Sequence, residues 1–175
     1  MEVKVVDGEG KALPVGTTGQ LLVRGASLFA GYLKRPELNA TDADGWFDTG
    51  DLAYVDDDGY IRIDGRSKDI IIRGGENLPV VEIENLLYQH PSVAAVAVVG
   101  YPDERLGERS CAVVVLHPET TLTLTDLSTY LSTASVTRSY HPEKLLIVDE
   151  IPRTPSGKIQ KFRLREIVAE GSSSP

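Results

Sequence analysis

Between Arg153 and Arg165 the chain carries five basic side chains, Arg153, Lys158, Lys161, Arg163 and Arg165, and no acidic one. The whole sequence has 18 Lys+Arg against 26 Asp+Glu, so this stretch is a local reversal of sign where an anion can be received. Within it, Pro152-Arg-Thr-Pro-Ser-Gly-Lys158 is a proline- and glycine-punctuated loop ending in one lysine. Such a loop can bring a strongly hydrated point charge onto a phosphate. It is not a Walker A loop, which needs Gly where Pro152 stands and Ser or Thr where Ile159 stands. The plainer alternative is a basic surface turn leading into the last helix.

Three other polar groupings invite chemistry. Trp46-Phe-Asp-Thr-Gly-Asp51 sets Thr49 beside Asp51 in a small turn at the start of a hairpin. A carboxylate there accepts hydrogen bonds from vicinal sugar hydroxyls, although ordinary turn chemistry uses the same residues. Gly65-Arg66-Ser-Lys68-Asp69 sits at a change of texture, where charged residues can switch partners if two regions rotate; a solvated hairpin end is the alternative. In Arg73-Gly74-Gly75-Glu76-Asn77 the paired glycines allow close approach of backbone to a ligand, whereas a tight turn into a helix accounts for one glycine better than for two.

The elements that must position these residues fall into two regions divided near Arg66 to Lys68. A chain of 175 residues, 41% hydrophobic and 25% charged, holds one ordinary domain or two small ones with a real core. The first region reads as all-β: Val3 to Val6, Gln20 to Arg24, Leu52 to Val55 and Tyr60 to Ile63, with Asp56-Asp-Asp-Gly59 as a hairpin turn. These strands are too few to close a barrel, so their edges need cover. In the second region Ile70 to Ile72 predicts a strand and Asn77-Leu-Pro79 the opening of a helix. Val93 to Val99 and Cys111 to Leu116 predict buried strands joined by a polar link from Tyr101 to Gly107. Asp126 to Ser132 predicts a helix, Leu145 to Val148 a strand and Phe162 to Glu170 a final helix, before a disordered tail over 171–175.

The net charge of -8 argues against nucleic acid and anionic membranes as partners. No apolar run approaches the roughly 20 residues of a membrane span and no signal-peptide layout is present, so a cytoplasmic location is expected. The single Cys111 excludes an intrachain disulfide and reads as a buried strand thiol. His90, His117 and His141 lie at element ends and do not suggest a metal site.

Taken together and in order, the motifs resemble the adenylate-forming superfamily of acyl-CoA synthetases, luciferases and peptide-synthetase adenylation domains. The likeness runs from about residue 2 to 168: Gly19-Gln-Leu-Leu-Val-Arg-Gly25, Gly31-Tyr32, Arg35-Pro36, Thr49-Gly-Asp51, Gly65-Arg66, Gly74-Gly-Glu-Asn77 and Pro152 through Lys158. It implies an α+β fold: a small β-subdomain remnant, the end of a distorted β-barrel, over 1–65, a hinge over 66–68, and a compact mobile α+β C-terminal lid over 69–170. It implies that Asp51, with Thr49, binds the ribose of ATP, that Arg66 joins it at the nucleotide, and that Lys68 is the hinge. It implies further that Gly74 and Gly75 line a CoA pantetheine channel and that Lys158 is the catalytic lysine and an acetylation target. The implied reactants are ATP, CoA and a carboxylic acid. Mg2+ is expected from the family, with no ligand identifiable in this chain.

The stretch Asp69-Ile-Ile-Ile-Arg-Gly-Gly-Glu-Asn77 looks more like an acid:CoA ligase for short- or medium-chain, cyclic or aromatic acids than a peptide-synthetase adenylation domain. The family's phosphate loop, adenine contacts and acyl pocket match nothing here. The expectation is therefore a C-terminal fragment, inactive alone, whose partners are its own N-terminal large domain and a protein acetyltransferase. The alternatives are a noncatalytic nucleotide- or partner-binding module and a peptide-synthetase domain.

Overall fold

The computed structural model describes residues 1–35 and 41–170; Pro36 and the 171–175 tail lie outside the described residues. The chain divides into two compact units, Met1–Lys68 and Asp69–Pro175.

The first unit is an open antiparallel sheet in the order β1 (Glu2–Val6), β2 (Gly19–Arg24), β3 (Phe47–Val55), β4 (Ile61–Arg66). Val5, Leu21, Val23 and Ala53 form its small core. Asp56 closes the β3–β4 turn by accepting the Tyr60 N–H at 2.8 Å, with Gly59 at φ 81°. Ile61 and Ile63 of β4 stay exposed.

The second unit is built on β7 (Val93–Asp103) and β8 (Gly107–Leu116), a long antiparallel pair with both faces covered. Side chains alternate between the faces of a strand, and two separate cores follow from that alternation. Val96, Val98, Ala112 and Val114 pack with α1 (Val80–Leu87) and α2 (Leu124–Thr133), whereas Ala97, Val99, Cys111 and Val113 pack with Leu164 and Val168 of α3 (Lys161–Glu170). A strand buried on both sides reads as a continuous apolar run, as these do. On the other side of β8 from β7 lie β9 (Lys144–Ile147), which is parallel to it, and the short β5 (Ile72–Arg73), which continues into β6 (Glu76–Asn77).

Local chemistry sets the helix starts. The Thr123 hydroxyl accepts the Asp126 N–H at 3.1 Å while the Asp126 carboxylate accepts the Thr123 N–H at 3.0 Å, a reciprocal cap of about 1 kcal/mol. The Thr123 hydroxyl also donates to that carboxylate and holds it below the usual aspartate range. Pro79 precedes α1 without a side-chain cap.

Several expected boundaries move: β3 begins at Phe47 rather than Leu52, and β4 runs to Arg66 rather than Ile63. The strand expected over Ile70 to Ile72 shrinks to Ile72–Arg73, because the Gly74-Gly75 turn folds the chain back after two residues; Ile71 instead enters the core and its C=O accepts the Leu78 N–H at 3.0 Å. The expected link from Tyr101 to Gly107 shortens to Glu104–Leu106, because β7 and β8 run into it and Asp103 accepts the Arg105 and Leu106 N–H groups.

Cys111 is fully buried, and that burial pushes its thiol from the ordinary 9.0 up to about 11. Folding therefore favours the protonated thiol. This contribution to stability is complete below pH 9 and is lost as the pH rises through about 11. At pH 8 a thiol reagent should label Cys111 only at the rate of unfolding. Leu127→Ala, at a side chain with no exposed surface, should cost about 2–5 kcal/mol by denaturant titration and speed that labelling in proportion.

Candidate functional site

Thr49, Gly50 and Asp51 were expected in a turn at the start of a hairpin; they lie inside β3 as a bulge. Gln20 pairs with Leu52 and Leu22 with Asp48, so three residues of β3 stand opposite the single Leu21. Bulges of this type re-aim side chains. Gly50 sits at φ 71°, its N–H donating to Asp48 Oδ1 at 2.8 Å. The Thr49 hydroxyl donates to the Leu21 C=O and accepts the Asp51 N–H, each at 3.0 Å, which ties the bulge together from inside.

Asp51 lies directly across from Arg66 on β4, and the Arg66 Nε donates to Asp51 Oδ1 at 2.8 Å. The Arg66 side chain is 59% exposed, so the pair contributes at most about 1 kcal/mol to folding. Ser67 Oγ donates to the Gly50 C=O at 3.1 Å, extending the same network. Lys68 is exposed within a single 3-10 turn, Ser67–Asp69.

Gly74 and Gly75 form the two-residue loop of the β5–β6 hairpin, with φ of 59° and 88°. These are the values of a type I′ turn, which needs positive φ at both central positions. The turn itself thus explains both glycines, against the expectation that it would explain only one. The Gly74 N–H donates to the Leu106 C=O at 2.8 Å, docking the hairpin beside the β7–β8 turn. Nothing lies within 4 Å of where a Cβ on Gly75 would sit, so that turn presents bare backbone.

The lysine loop is braced by its own residues. Arg153 bridges to Ile159, the Thr154 N–H donates to the Lys158 C=O at 2.8 Å, and the Thr154 hydroxyl accepts the Lys158 N–H at 3.1 Å. The Arg153 guanidinium donates to the Gly157 C=O at 2.9 Å, and Gly157 supplies φ 86°. Lys158 stands exposed at the end of this frame, its ammonium without a partner among the described residues. Thr49, Asp51 and Arg66 are thus brought together within the first unit, while Gly74-Gly75 and Lys158 occupy separate loops of the second.

One feature escaped the sequence reading: a groove of about 590 Å³ between α2 and residues 138–143 of the second unit. At its base the Ser128 hydroxyl lies 2.8 Å from His141 Nδ1 and accepts the Arg138 Nη1 at 2.6 Å, while His141 Nε2 lies 3.0 Å from the Val136 C=O. Arg73 enters the same groove with its Nε on Glu143 Oε1 at 2.8 Å. No motif announces this cluster, since Arg73, Ser128 and His141 come together only through the sheet and α2. Among the described residues no group of three or more His, Cys, Asp or Glu side chains converges as a metal site.

These features define an AMP-binding enzyme C-terminal domain: residues 82–158 match that family, and the chain belongs to the adenylate-forming superfamily. It is 48% identical over 169 residues to a medium-chain fatty-acid–CoA ligase of Escherichia coli (strain K12), a match covering 95% of this chain and 30% of that protein. It is 46% identical over 169 residues to a salicylyl-CoA synthase / salicylate adenylyltransferase of Streptomyces sp, with 95% and 31% covered. Among solved structures, ATP-bound MatB from Rhodopseudomonas palustris matches with a TM-score of 0.87 and 37% identity, over 95% of this chain and 33% of that one. The chain therefore spans about a third of the length of its relatives, their C-terminal part. No described helix is long and apolar enough to cross a membrane.

A side chain at position 157 would have to adopt the left-handed backbone that Gly157 holds. Gly157→Ala should cost about 1–2 kcal/mol locally and raise amide exchange at Lys158 about tenfold, read by hydrogen exchange with mass spectrometry, with the core unaffected.

Proposed function

We propose that this chain is the C-terminal part of an acid:CoA ligase, with residues 1–65 closing a large domain, 66–68 as hinge and 69–170 as a mobile lid. The observation that carries the reading is Lys158: an ammonium without a partner among the described residues, held out by a loop whose backbone is braced internally. A substrate carboxylate oxygen attacks the α-phosphorus of ATP, the α–β anhydride bond breaks, and pyrophosphate leaves with the electron pair. Lys158 stabilises the charge on the phosphate oxygens as it develops. Asp51 accepts from the ribose hydroxyls, and Arg66, already oriented by Asp51, serves the same nucleotide.

In the second step the CoA sulfur attacks the acyl carbonyl carbon, the thioester forms and AMP leaves. Rotation at Lys68 would withdraw Lys158 and bring the bare Gly74-Gly75 turn to the pantetheine arm. The groove beside α2 suits the phosphate-bearing end of CoA, since Arg73 and Arg138 place two guanidinium groups there against one carboxylate, Glu143. Supporting the reading are the CoA ligases among the relatives and the likeness to an ATP-bound protein. The acid, in the short- to medium-chain, cyclic or aromatic range, is held by the large domain. Lys158, exposed and without a partner among the described residues, is also the accessible amine that acetylation by a protein acetyltransferase would require; neutralising it would remove its charge from the first step.

In the complete protein, Lys158→Ala should lower acid-dependent ATP–pyrophosphate exchange about 100-fold or more while thioester formation from supplied acyl-AMP survives. A bulky residue at Gly75 should do the reverse. Equal loss of both half-reactions in either variant would refute the assignment.

A further inference from the structure

Lys161 opens α3, three residues beyond Lys158, and a cation in the first turn of a helix stands against the positive end of the helix dipole. Helix preference therefore does not account for it, but its contacts do. Its Nζ lies 2.7 Å from Glu84 Oε1 on α1 and 3.5 Å from the Val98 C=O on β7. The same Glu84 Oε1 accepts the Val98 N–H at 2.7 Å. β7 is an edge strand, and Val98 directs these two backbone groups away from β8. One ion pair thus satisfies the outward N–H and C=O of a single edge residue and joins α1 to α3 across it.

The side chains of Lys161 and Glu84 are only 17% and 19% exposed. A pair this sheltered, holding backbone groups as well, exceeds an ordinary surface ion pair in effect. Glu84 belongs to α1 and touches neither the 153–159 loop nor anything expected of a substrate site. Its link to the loop is covalent continuity, because the C-terminal leg of the loop runs through Ile159 and Gln160 directly into Lys161.

We propose that Glu84 is a positioning residue for Lys158: by holding Lys161 against Val98 it sets where α3 begins and hence where the loop presents the Lys158 ammonium. This rests on the reading that Lys158 acts at the phosphates. Glu84→Gln is the diagnostic variant, since it keeps an acceptor for the Val98 N–H and removes only the charge that holds Lys161.

Labelling this chain with acetic anhydride should acylate Lys161 at least about tenfold more slowly than Lys158. In Glu84→Gln that difference should largely vanish while amide exchange at Val98 stays within about twofold. In the complete protein, Glu84→Gln should lower kcat for ATP–pyrophosphate exchange about tenfold with KM for the acid unchanged, and leave thioester formation from acyl-AMP intact. Lys161→Arg, which keeps a cation and donor opposite Glu84, should retain most of the kcat. Equal labelling of Lys158 and Lys161 in the unaltered chain overturns the proposal. So does an unchanged kcat in Glu84→Gln where Lys158→Ala abolishes exchange; if Lys158→Ala itself leaves exchange intact, the functional reading falls with it.

Discussion

The second unit depends on one constraint: β7 and β8 are apolar on both faces, and neither face can be left to water. Val96, Val98, Ala112 and Val114 require α1 and α2 on one side, and Ala97, Val99, Cys111 and Val113 require α3 on the other. Burying a Val, Leu or Ile side chain contributes roughly 1.5–3 kcal/mol, so the helices are held by the sheet far more than by their own caps. Nothing with chemical potential projects from this sandwich. Gly74, Gly75 and Lys158, the residues of this unit that the proposed function uses first, lie on its turns, where side chains are not needed for packing.

How those turns are built explains why they can present a group without collapsing onto it. The bulge at Thr49 to Asp51 satisfies its backbone through the Thr49 and Asp48 side chains, and the lysine loop does the same through Thr154 and Arg153. The Gly74-Gly75 turn uses the permissive backbone of glycine instead. In the bulge and the lysine loop neighbouring side chains satisfy the backbone, so neither Asp51 nor Lys158 is spent on holding its own turn.

Much of this architecture was legible in the sequence, and the parts that were not share a cause. The three α-helices and the buried stretches of β7 and β8 declared themselves by period and composition, because local pattern and tertiary burial agree there. Ends were misread where a side chain overrides the pattern: Asp103 extends β7 into a stretch that looks like loop, and the positive φ of Gly74 and Gly75 truncates β5 in a stretch that looks like strand. The groove at Ser128, His141, Arg138 and Arg73 was invisible, since its members come from β5, α2 and the segment before β9 and no spacing rule links them. Nothing in the spacing of Glu84 announces that its carboxylate is spent on Val98 and Lys161.

The basic run from Arg153 to Arg165 shows how far composition can mislead about charge. Five cations without an acid suggest a broad anion-attracting surface, but the fold commits most of them elsewhere. Arg153 braces Gly157, Lys161 is matched by Glu84, Arg165 reaches Asp69 at 2.7 Å, and Arg163 lies over the ring of Phe162 at 5.9 Å. The acids that neutralise two of the five are distant in sequence, Glu84 on α1 and Asp69 at the start of the unit. Among the described residues Lys158 is the one of the five whose charged group makes no contact within the fold. Stabilising charge that appears only as a bond breaks calls for one aimed ammonium, whereas a diffuse basic patch would attract ground state and transition state alike and accelerate nothing.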